Sequence, residues 1–314
     1  MGSELVDFFF VGFPKSGSTT FYSLLRSHPE IATSEIKEIE FFNSDFIFEA
    51  RKHLGNNYFN LIKTAADYAG LFDYDPQKIR GDFTPVNIFS DAAPLNIYKY
   101  NNAARIIISI REPVSFLRSY HFQSLYNMIE EEPDFMKALS LEESRLDGRN
   151  VPFYCANLFY LLYSGLIDYM KYIKNYVDVF GREHVKVILF DDIMVDEYAV
   201  YQELLRFLNV NNLNFIPETH DRNPNHSLRF PLLRKFLLYP PVKKFFYENF
   251  PSALRPLGVA ISQRMFKKVQ EKPYVSVEDL RRLKFRFKPK VEELNNYLNE
   301  AGLVSRNIIE LWKY

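Results

Sequence analysis

One stretch near the start of the sequence combines glycine, lysine and small hydroxyl residues in an order that suits phosphate binding. Residues 12–20 read Gly-Phe-Pro-Lys-Ser-Gly-Ser-Thr-Thr. They follow an apolar run at residues 6–12, which is typical of a buried strand, and lead into a predicted helix at residues 19–26. Backbone N–H groups at a helix N-terminus lack intrahelical partners and carry partial positive charge, so an anion binds there. The sequence therefore predicts a phosphate-binding loop.

This loop differs from the one that binds ATP. The spacing from Gly12 to Gly17 fits an ATP loop, but Ser18 stands where a lysine would reach the β- and γ-phosphates. The lysine lies inside the loop instead, at Lys15, where it would be close to the reacting end of a ligand. The residues expected to contact that ligand are Lys15, Ser16, Gly17, Ser18, Thr19 and Thr20.

A second candidate phosphate site follows another apolar run, at residues 105–110. Arg111 comes directly after this predicted strand, at the edge of a parallel sheet where ligands bind. Ser119 lies two turns into a helix predicted to start at Pro113. A guanidinium holds a phosphate with parallel N–H donors, and a serine hydroxyl adds another hydrogen bond. An ATPase would need an aspartate on such a strand for magnesium, so Arg111 favours a ligand with an additional phosphate.

A scaffold of buried strands and covering helices must position these residues. The strand candidates are residues 6–12, 79–83, 105–110 and 185–190, and the helix candidates are residues 19–26, 113–127, 157–179 and 197–208. Alternation of strands and helices favours a parallel sheet. We therefore predict an α/β fold, a P-loop-containing doubly wound parallel sheet flanked by helices, with a helical C-terminal region. Residues 1–314 are predicted to form a single domain, because no linker-like stretch interrupts them.

The composition restricts the classes of function. The 314 residues have a formal net charge of zero, so no overall attraction to nucleic acid is expected. Residues 229–290 hold 16 Lys or Arg and 4 Asp or Glu, which favours an anionic ligand, an acidic partner, a membrane surface or simply a solvated basic face. The single cysteine, Cys155, excludes an intrachain disulfide. Because there is no signal-peptide pattern and no apolar run of about 18 residues, we expect a cytoplasmic protein.

The two phosphate motifs together resemble those of sulfotransferases that use 3'-phosphoadenosine 5'-phosphosulfate (PAPS). In that family the first loop binds the 5'-phosphosulfate, and the arginine and the serine eight residues later, here Arg111 and Ser119, bind the 3'-phosphate. Residues 223–229 resemble the loop that covers the nucleotide, which implies contacts from Ser227 and Arg229. Further similar stretches are residues 27–31, 37–42 and 180–193. The likeness is greater to bacterial small-molecule and heparan-type members than to animal cytosolic ones.

The resemblance also implies a catalytic base. Residues 80–86 resemble a heparan-type segment whose glutamate is the proposed base, and Asp82 stands at that position with a side chain one methylene shorter. The structural alternative is that Asp82 caps the following turn. The other candidates for the base are His28, His53 and His121. The family likeness predicts PAPS as co-substrate, 3',5'-adenosine bisphosphate as product, no metal, and stabilisation of the bridging oxygen by Lys15.

The sequence leaves the acceptor open. A small molecule of secondary metabolism, a sugar hydroxyl and a carrier-bound chain all fit, and the transfer ends on a hydroxyl oxygen or an amine nitrogen. A small metabolite is preferred because no secretory or membrane signal is present. The rival functions are a P-loop kinase or NTPase with magnesium at Asp191 and Asp192, and a binding module without activity. The basic, apolar stretch at residues 230–269 suits a membrane or acidic-carrier contact, against the simpler interpretation of a helical subdomain.

Overall fold

A computed structural model describes residues 5–55, 62–211, 214–217, 226–228, 267–269 and 274–314, with five single positions between 233 and 249. Only the backbone is described for residues 226–228 and 267–269. Arg229 and most of residues 230–269 lie outside the described residues, so the expectations that concern them stay predictions. Within the described residues, no helix is both long enough and apolar enough to cross a membrane.

Five parallel strands form the centre of the fold, in the order β2-β3-β1-β4-β5. They are β1 (Phe8–Phe10), β2 (Ile31–Thr33), β3 (Ile79–Phe83), β4 (Arg105–Ile110) and β5 (Val185–Leu189). All residues of β1 are fully buried, as expected for a strand that is covered on both faces. Phe9 of β1 pairs with Asp82 on one side and Ile106 on the other. The predicted parallel α/β sheet is confirmed, with β1 at its middle.

Helices cover both faces of this sheet. They are α1 (Ser18–Arg26), α2 (Ser44–Leu54), α3 (Ala65–Ala69), α4 (Ala93–Tyr100), α5 (Pro113–Asn127), α6 (Phe135–Ser140), α7 (Glu142–Leu146), α8 (Tyr163–Leu166), α9 (Tyr169–Phe180), α10 (Phe190–Val195), α11 (Glu197–Phe207), α12 (Val277–Glu300) and α13 (Ile308–Trp312). Short 3-10 helices occupy Pro85–Phe89, Leu158–Leu161 and Arg182–His184. Helices α12 and α13 confirm the helical C-terminal region.

The alternating side chains of the strands divide the core into two parts. Phe9 and Ile106 point to one face, where they pack in a core that includes α4, α9 and α12. Phe8, Phe10 and Ile107 point to the other face and pack with α1 and α11. Side chains alternate between the two faces because a strand has a period of two residues. Helix α1 therefore packs on the face to which Phe8 and Phe10 point.

The single helix predicted over residues 157–179 is wrong. The chain forms a 3-10 helix, α8 and α9 there, separated by non-helical backbone. Side chains from distant parts of the sequence bond the carbonyls near these breaks. Arg145 donates to Leu161 O (3.3 Å), and Lys290 donates to Ser164 O (2.9 Å). These bonds satisfy backbone groups that a continuous helix would have paired internally, and periodicity does not reveal them.

Smaller differences concern the strands. β1 is shorter than the predicted residues 6–12, and β5 ends at Leu189 because Phe190 begins α10. The sequence pattern does not predict β2, whose three residues are too few to show an alternation. Two further strands, β6 (His226–Leu228) and β7 (Lys267–Val269), form a separate antiparallel pair. β6 lies beside α5, which brings it to the end of the sheet where Arg111 is found.

Candidate functional site

The loop after β1 is packed closely against β4. The Phe13 N–H donates to Ser109 O (3.0 Å). A Cβ atom at Gly12 would lie 2.3 Å from the backbone nitrogen of Ser109. Gly17 has a left-handed φ of +97°, and a Cβ atom there would lie 2.8 Å from Ile193 Cδ1. Both glycines of the predicted motif are therefore needed to fix the path of the loop.

The loop ends at the N-terminus of α1. Gly17 precedes the helix without a side-chain cap, and the first helical hydrogen bond runs from Phe21 N–H to Gly17 O (3.1 Å). The N–H groups of residues 18–20 come before that bond, so they lie at the positive end of the helix dipole. Ser16 is fully buried, and its Oγ has no hydrogen-bond partner in the described part of the chain. These donors suit a phosphate group at the loop.

Arg111 connects the two predicted phosphate sites. Its Nη1 donates to Lys15 O (3.1 Å), and its guanidinium carbon lies 4.4 Å from the centre of the Phe190 ring. Lys15 Nζ donates to Gln123 Oε1 (3.3 Å). Burial lowers the pKa of both Lys15 and Arg111, and the charge of Arg111 lowers the pKa of Lys15 further. Two half-buried cations that repel each other favour the binding of an anion at this end of the sheet.

One face of α5 continues the site. Ser115, Ser119 and Gln123 are spaced four residues apart, so they share that face. Ser119 is buried, and Gln123 is the partner of the loop lysine. β6 lies alongside α5 and carries Ser227. The backbone thus brings Ser119 and Ser227 onto neighbouring elements, whereas Arg229 is outside the described residues.

Two residues without a sequence-based role, Lys37 and Glu38, lie beside the loop. Lys37 Nζ donates to Thr19 Oγ1 (3.1 Å) and is 5.2 Å from the centre of the Tyr22 ring. Burial lowers the pKa of Lys37, the charge of Glu38 opposes this, and Lys15 adds to it. The charge of Glu38, an exposed residue, also raises the pKa of Lys15. The sequence feature that could have indicated them is the stretch at residues 37–42, which resembles the family.

Asp82, the base predicted from the sequence, lies inside the protein. It is 1% exposed. Tyr68 Oη donates to Asp82 Oδ2 (2.8 Å), and Thr84 Oγ1 donates to Oδ1 (2.5 Å). Burial raises the pKa of Asp82 to about 6, and the two hydrogen bonds act in the opposite direction. Both oxygens are bonded within the protein and the side chain is buried, which favours a structural role for Asp82.

Of the three histidines considered as alternative bases, two are buried and hydrogen-bonded within the fold. His121 is 1% exposed, its Nε2 donates to Glu132 O (2.8 Å), and burial lowers its pKa. His28 is 2% exposed, and its Nδ1 accepts the N–H of Glu30 (3.1 Å). His53 is exposed on α2. These environments favour structural roles for His28 and His121.

Most of this chain matches the model of a known protein family. A family model described as the sulfotransferase domain matches residues 5–229, which is more than two thirds of the chain. The chain belongs to the sulfotransferase family. The family resemblance predicted from the two phosphate motifs is therefore confirmed.

Individual sulfotransferases are also similar to this chain. The crystal structure of a sulfotransferase from Alicyclobacillus acidocaldarius has 27% sequence identity and a TM-score of 0.58, and the match covers 80% of this chain and 98% of that one. The membrane-associated sulfotransferase kil1 of Dictyostelium discoideum is 31% identical over 119 residues, which are 38% of this chain and 23% of kil1. The match to this curated relative thus spans less than a quarter of its length.

In this member of the sulfotransferase family, the two aspartates of the rival magnesium site have other partners. Trp312 Nε1 donates to Asp191 Oδ2 (2.9 Å), and Arg306 forms an ion pair with Asp192. Both carboxylates therefore attach the C-terminal helical region to the first turn of α10. Among the residues that the structure describes, no group of three or more His, Cys, Asp or Glu side chains could hold a metal ion.

Proposed function

We propose that this sulfotransferase moves the sulfuryl group of PAPS to a hydroxyl oxygen, or to an amine nitrogen, of an acceptor. The observation that carries the proposal is the hydrogen bond from Arg111 to Lys15 O. It joins the stretch whose resemblance implies 3'-phosphate binding to the stretch whose resemblance implies 5'-phosphosulfate binding. PAPS has an anionic group at each of these two positions of one ribose, so two adjacent cationic stretches suit it.

The donor contacts follow from this arrangement. The 5'-phosphosulfate is assigned to the N–H groups at the start of α1, with Lys15 beside the bridging oxygen. The 3'-phosphate is assigned to Arg111, Ser119, Ser227 and Arg229. Preorganised N–H donors and a lysine stabilise the charge that develops during transfer, so the proposal includes no metal.

We assign the role of base to Glu38 instead of Asp82. Glu38 is exposed and close enough to Lys15 to raise its pKa, whereas Asp82 is buried and bonded on both oxygens. In the proposed step the acceptor oxygen attacks sulfur, and its proton passes to the Glu38 carboxylate. The bond between sulfur and the bridging oxygen breaks, and that oxygen keeps the electron pair next to Lys15. The product 3',5'-adenosine bisphosphate then leaves with the negative charge.

The acceptor in this proposal is a small metabolite, as the sequence favours. A role in secondary metabolism and a cytoplasmic location remain predictions. The carrier-bound acceptor and the membrane contact through residues 230–269 remain alternatives, because they concern residues outside the described part of the chain.

Calorimetric titration with 3',5'-adenosine bisphosphate tests the donor site. We expect binding that is independent of magnesium and that weakens roughly tenfold to a hundredfold in Arg111→Ala, since hydrogen bonds to a charged group are lost. Arg105→Ala is the matched control. Arg105 begins the strand that Arg111 follows, and it stacks on Phe207 as Arg111 stacks on Phe190. Equal weakening in both variants would show that the effect is not local to the site.

Titration with ATP and AMP in the same buffers tests the rival kinase or NTPase. Magnesium-dependent binding of ATP that is tighter than binding of the bisphosphate would overturn the PAPS proposal. The contacts of Asp191 with Trp312 and of Asp192 with Arg306 support the opposite result. Asp191→Asn should then not weaken binding of the bisphosphate, because it removes a negative charge that acts on Arg111.

A further inference from the structure

The end of β3 is attached by hydrogen bonds to the segment that carries Glu38. The Glu38 N–H donates to Phe83 O (3.0 Å), and the Ile39 N–H donates to Thr84 Oγ1 (3.1 Å). The Thr84 hydroxyl in turn donates to Asp82 Oδ1 (2.5 Å). A continuous chain of bonds therefore leads from the buried carboxylate of Asp82 to the backbone next to Glu38.

The direction of these bonds is fixed by the number of protons available. The Thr84 hydroxyl has one proton, and because its oxygen accepts from the Ile39 N–H, that proton is free to go to Asp82. Tyr68 donates to the other carboxylate oxygen (2.8 Å). A carboxylate accepts both donors at once, whereas an asparagine amide has a single oxygen acceptor. Asp82 and Thr84 are each 1% exposed, so water does not easily replace either of them.

The segment that holds Glu38 has an uncommon backbone. Glu38 has a φ of +59° and Glu40 a φ of +50°, both in the left-handed region that residues with a side chain rarely adopt. Such conformations persist where the surrounding structure holds them. Ile39, between the two glutamates, is 4% exposed and is the residue that bonds to Thr84. The contact with β3 therefore acts at the centre of the strained turn.

We propose that Asp82 and Thr84 are positioning residues, which hold the turn at Ile39 and so keep Glu38 at the end of the sheet that carries the phosphate loop. This inference rests on the proposed function, in which Glu38 is the base. Neither positioning residue touches the acceptor. The phosphate loop is fixed separately, by its two glycines and its contact with β4, so loss of the Thr84 hydroxyl moves Glu38 and leaves donor binding intact.

The test compares Thr84→Val, which keeps the shape of the side chain, with Thr84→Ser, which keeps the hydroxyl. The readouts are kcat for hydrolysis of PAPS with water as acceptor, Kd for 3',5'-adenosine bisphosphate, and amide exchange of a peptide that contains Ile39. We expect Thr84→Val to lower kcat roughly tenfold or more. Its Kd should stay within about twofold, and exchange at Ile39 should be faster. Thr84→Ser should match the wild type in all three.

A double-mutant cycle with Glu38→Gln separates positioning from a general loss of stability. If Thr84 acts through Glu38, Thr84→Val lowers kcat by no more than about twofold in the Glu38→Gln background. A full loss in that background, or an unchanged kcat in Thr84→Val alone, overturns the positioning role. Wild-type kcat in the Glu38→Gln single variant overturns the base assignment instead, while bisphosphate binding still reports on the donor site.

Asp82→Asn provides a second variant in case Thr84→Val does not fold. It preserves the volume of the buried side chain and removes one of the two acceptor oxygens. We expect the same pattern, a lower kcat with an unchanged Kd and faster exchange at Ile39. A Kd that rises in proportion to the fall in kcat would show that Asp82 supports the whole site and would overturn the proposal.

Discussion

Two arginines of this chain are bound in opposite ways. Arg145 is 1% exposed, makes two hydrogen bonds to the equally buried Glu130 (2.7 and 2.8 Å) and donates to backbone carbonyls. Arg111 is half-buried, stacks on Phe190 and donates to the carbonyl of a second cation, Lys15. The first arginine has its charge balanced by the fold. The second lies next to a like charge. The charges of Glu112 and Asp191 act on it, but neither forms an ion pair with it in the described part of the chain, and we infer that the ligand supplies a further counter-charge.

The surroundings of the two arginines distinguish a structural charge from a functional one in this fold. A buried charge with a bidentate partner and several carbonyl bonds has no capacity left for a ligand. Two cations that share the end of a sheet, near unpaired helix N–H groups, form a site of positive potential. Replacing members of the two groups should therefore affect different measurements, stability in one case and binding or turnover in the other.

The largest effect on stability is expected for the buried pair. Arg145→Ala leaves Glu130 buried without its partner, so the free energy of unfolding should fall by about 3–5 kcal/mol. Urea denaturation measures this change. The matched control is Arg149→Ala, because Arg149 forms an exposed ion pair with Asp147 (2.9 Å) and should change stability by about 1 kcal/mol or less. Equal losses in both variants would contradict the assignment of Arg145 as the structural arginine.

Turnover should depend most on the loop lysine. Lys15→Ala removes the positive charge placed beside the bridging oxygen, so kcat for PAPS hydrolysis should fall roughly 100- to 1,000-fold. Stability should change little, since Lys15 is only half-buried. The control is Lys137→Ala, which should leave kcat unchanged. Lys137 is an exposed residue of α6 that forms an ion pair with Glu132. Near-normal turnover in Lys15→Ala with PAPS bound would remove its catalytic role.

The local parts of this site could be predicted from the sequence. The phosphate loop follows from a glycine motif placed between an apolar run and a helix start. Arg111 follows from its position at the end of a strand, and the sheet order then brings both to one edge. Each of these inferences uses residues that are close together in the sequence, where strand and helix patterns are informative.

The parts that could not be predicted depend on contacts between distant residues. Asp82 is buried because Tyr68 of α3 covers and bonds it, which the pattern of β3 does not reveal. Glu38 lies in a left-handed turn that no glycine marks in the sequence. The break between α8 and α9 is stabilised by Lys290, more than 120 residues away. Side-chain partners of this kind leave no periodic signal in the sequence.

The environment of Asp82 is intermediate in character between those of the two arginines. Asp82 is buried like Arg145, but its hydrogen-bond donors, Tyr68 and Thr84, are neutral. Burial raises its pKa from 3.8 to about 6. The folded state therefore holds the proton at pH values where the unfolded state has lost it. This contribution to stability is fully present below about pH 4 and is lost as the pH rises through 6.

Urea unfolding of the wild type and Asp82→Asn between pH 4 and pH 7 measures this linkage. Because the amide does not titrate, the stability of the wild type relative to the variant should fall as the pH rises, by at most about 3 kcal/mol for a shift of two pKa units. Ser140→Ala, which removes no titratable group, should show no such fall. The opposite slope would mean that the bonds from Tyr68 and Thr84 outweigh burial.

The smallest effect is expected for Ser119, and it shows whether the proposed phosphate site extends along α5. Ser119→Ala removes one hydroxyl from the buried face that also carries Gln123. Loss of one hydrogen bond to a charged phosphate should raise the Kd for 3',5'-adenosine bisphosphate about tenfold. Adenosine 5'-monophosphate lacks the 3'-phosphate, so its Kd should not change in the variant. Ser140→Ala, at an exposed serine that bonds Lys137 O on α6, is the control. A loss that is equal for both nucleotides would assign Ser119 to the fold of α5 and limit the proposed 3'-phosphate contacts to Arg111, Ser227 and Arg229.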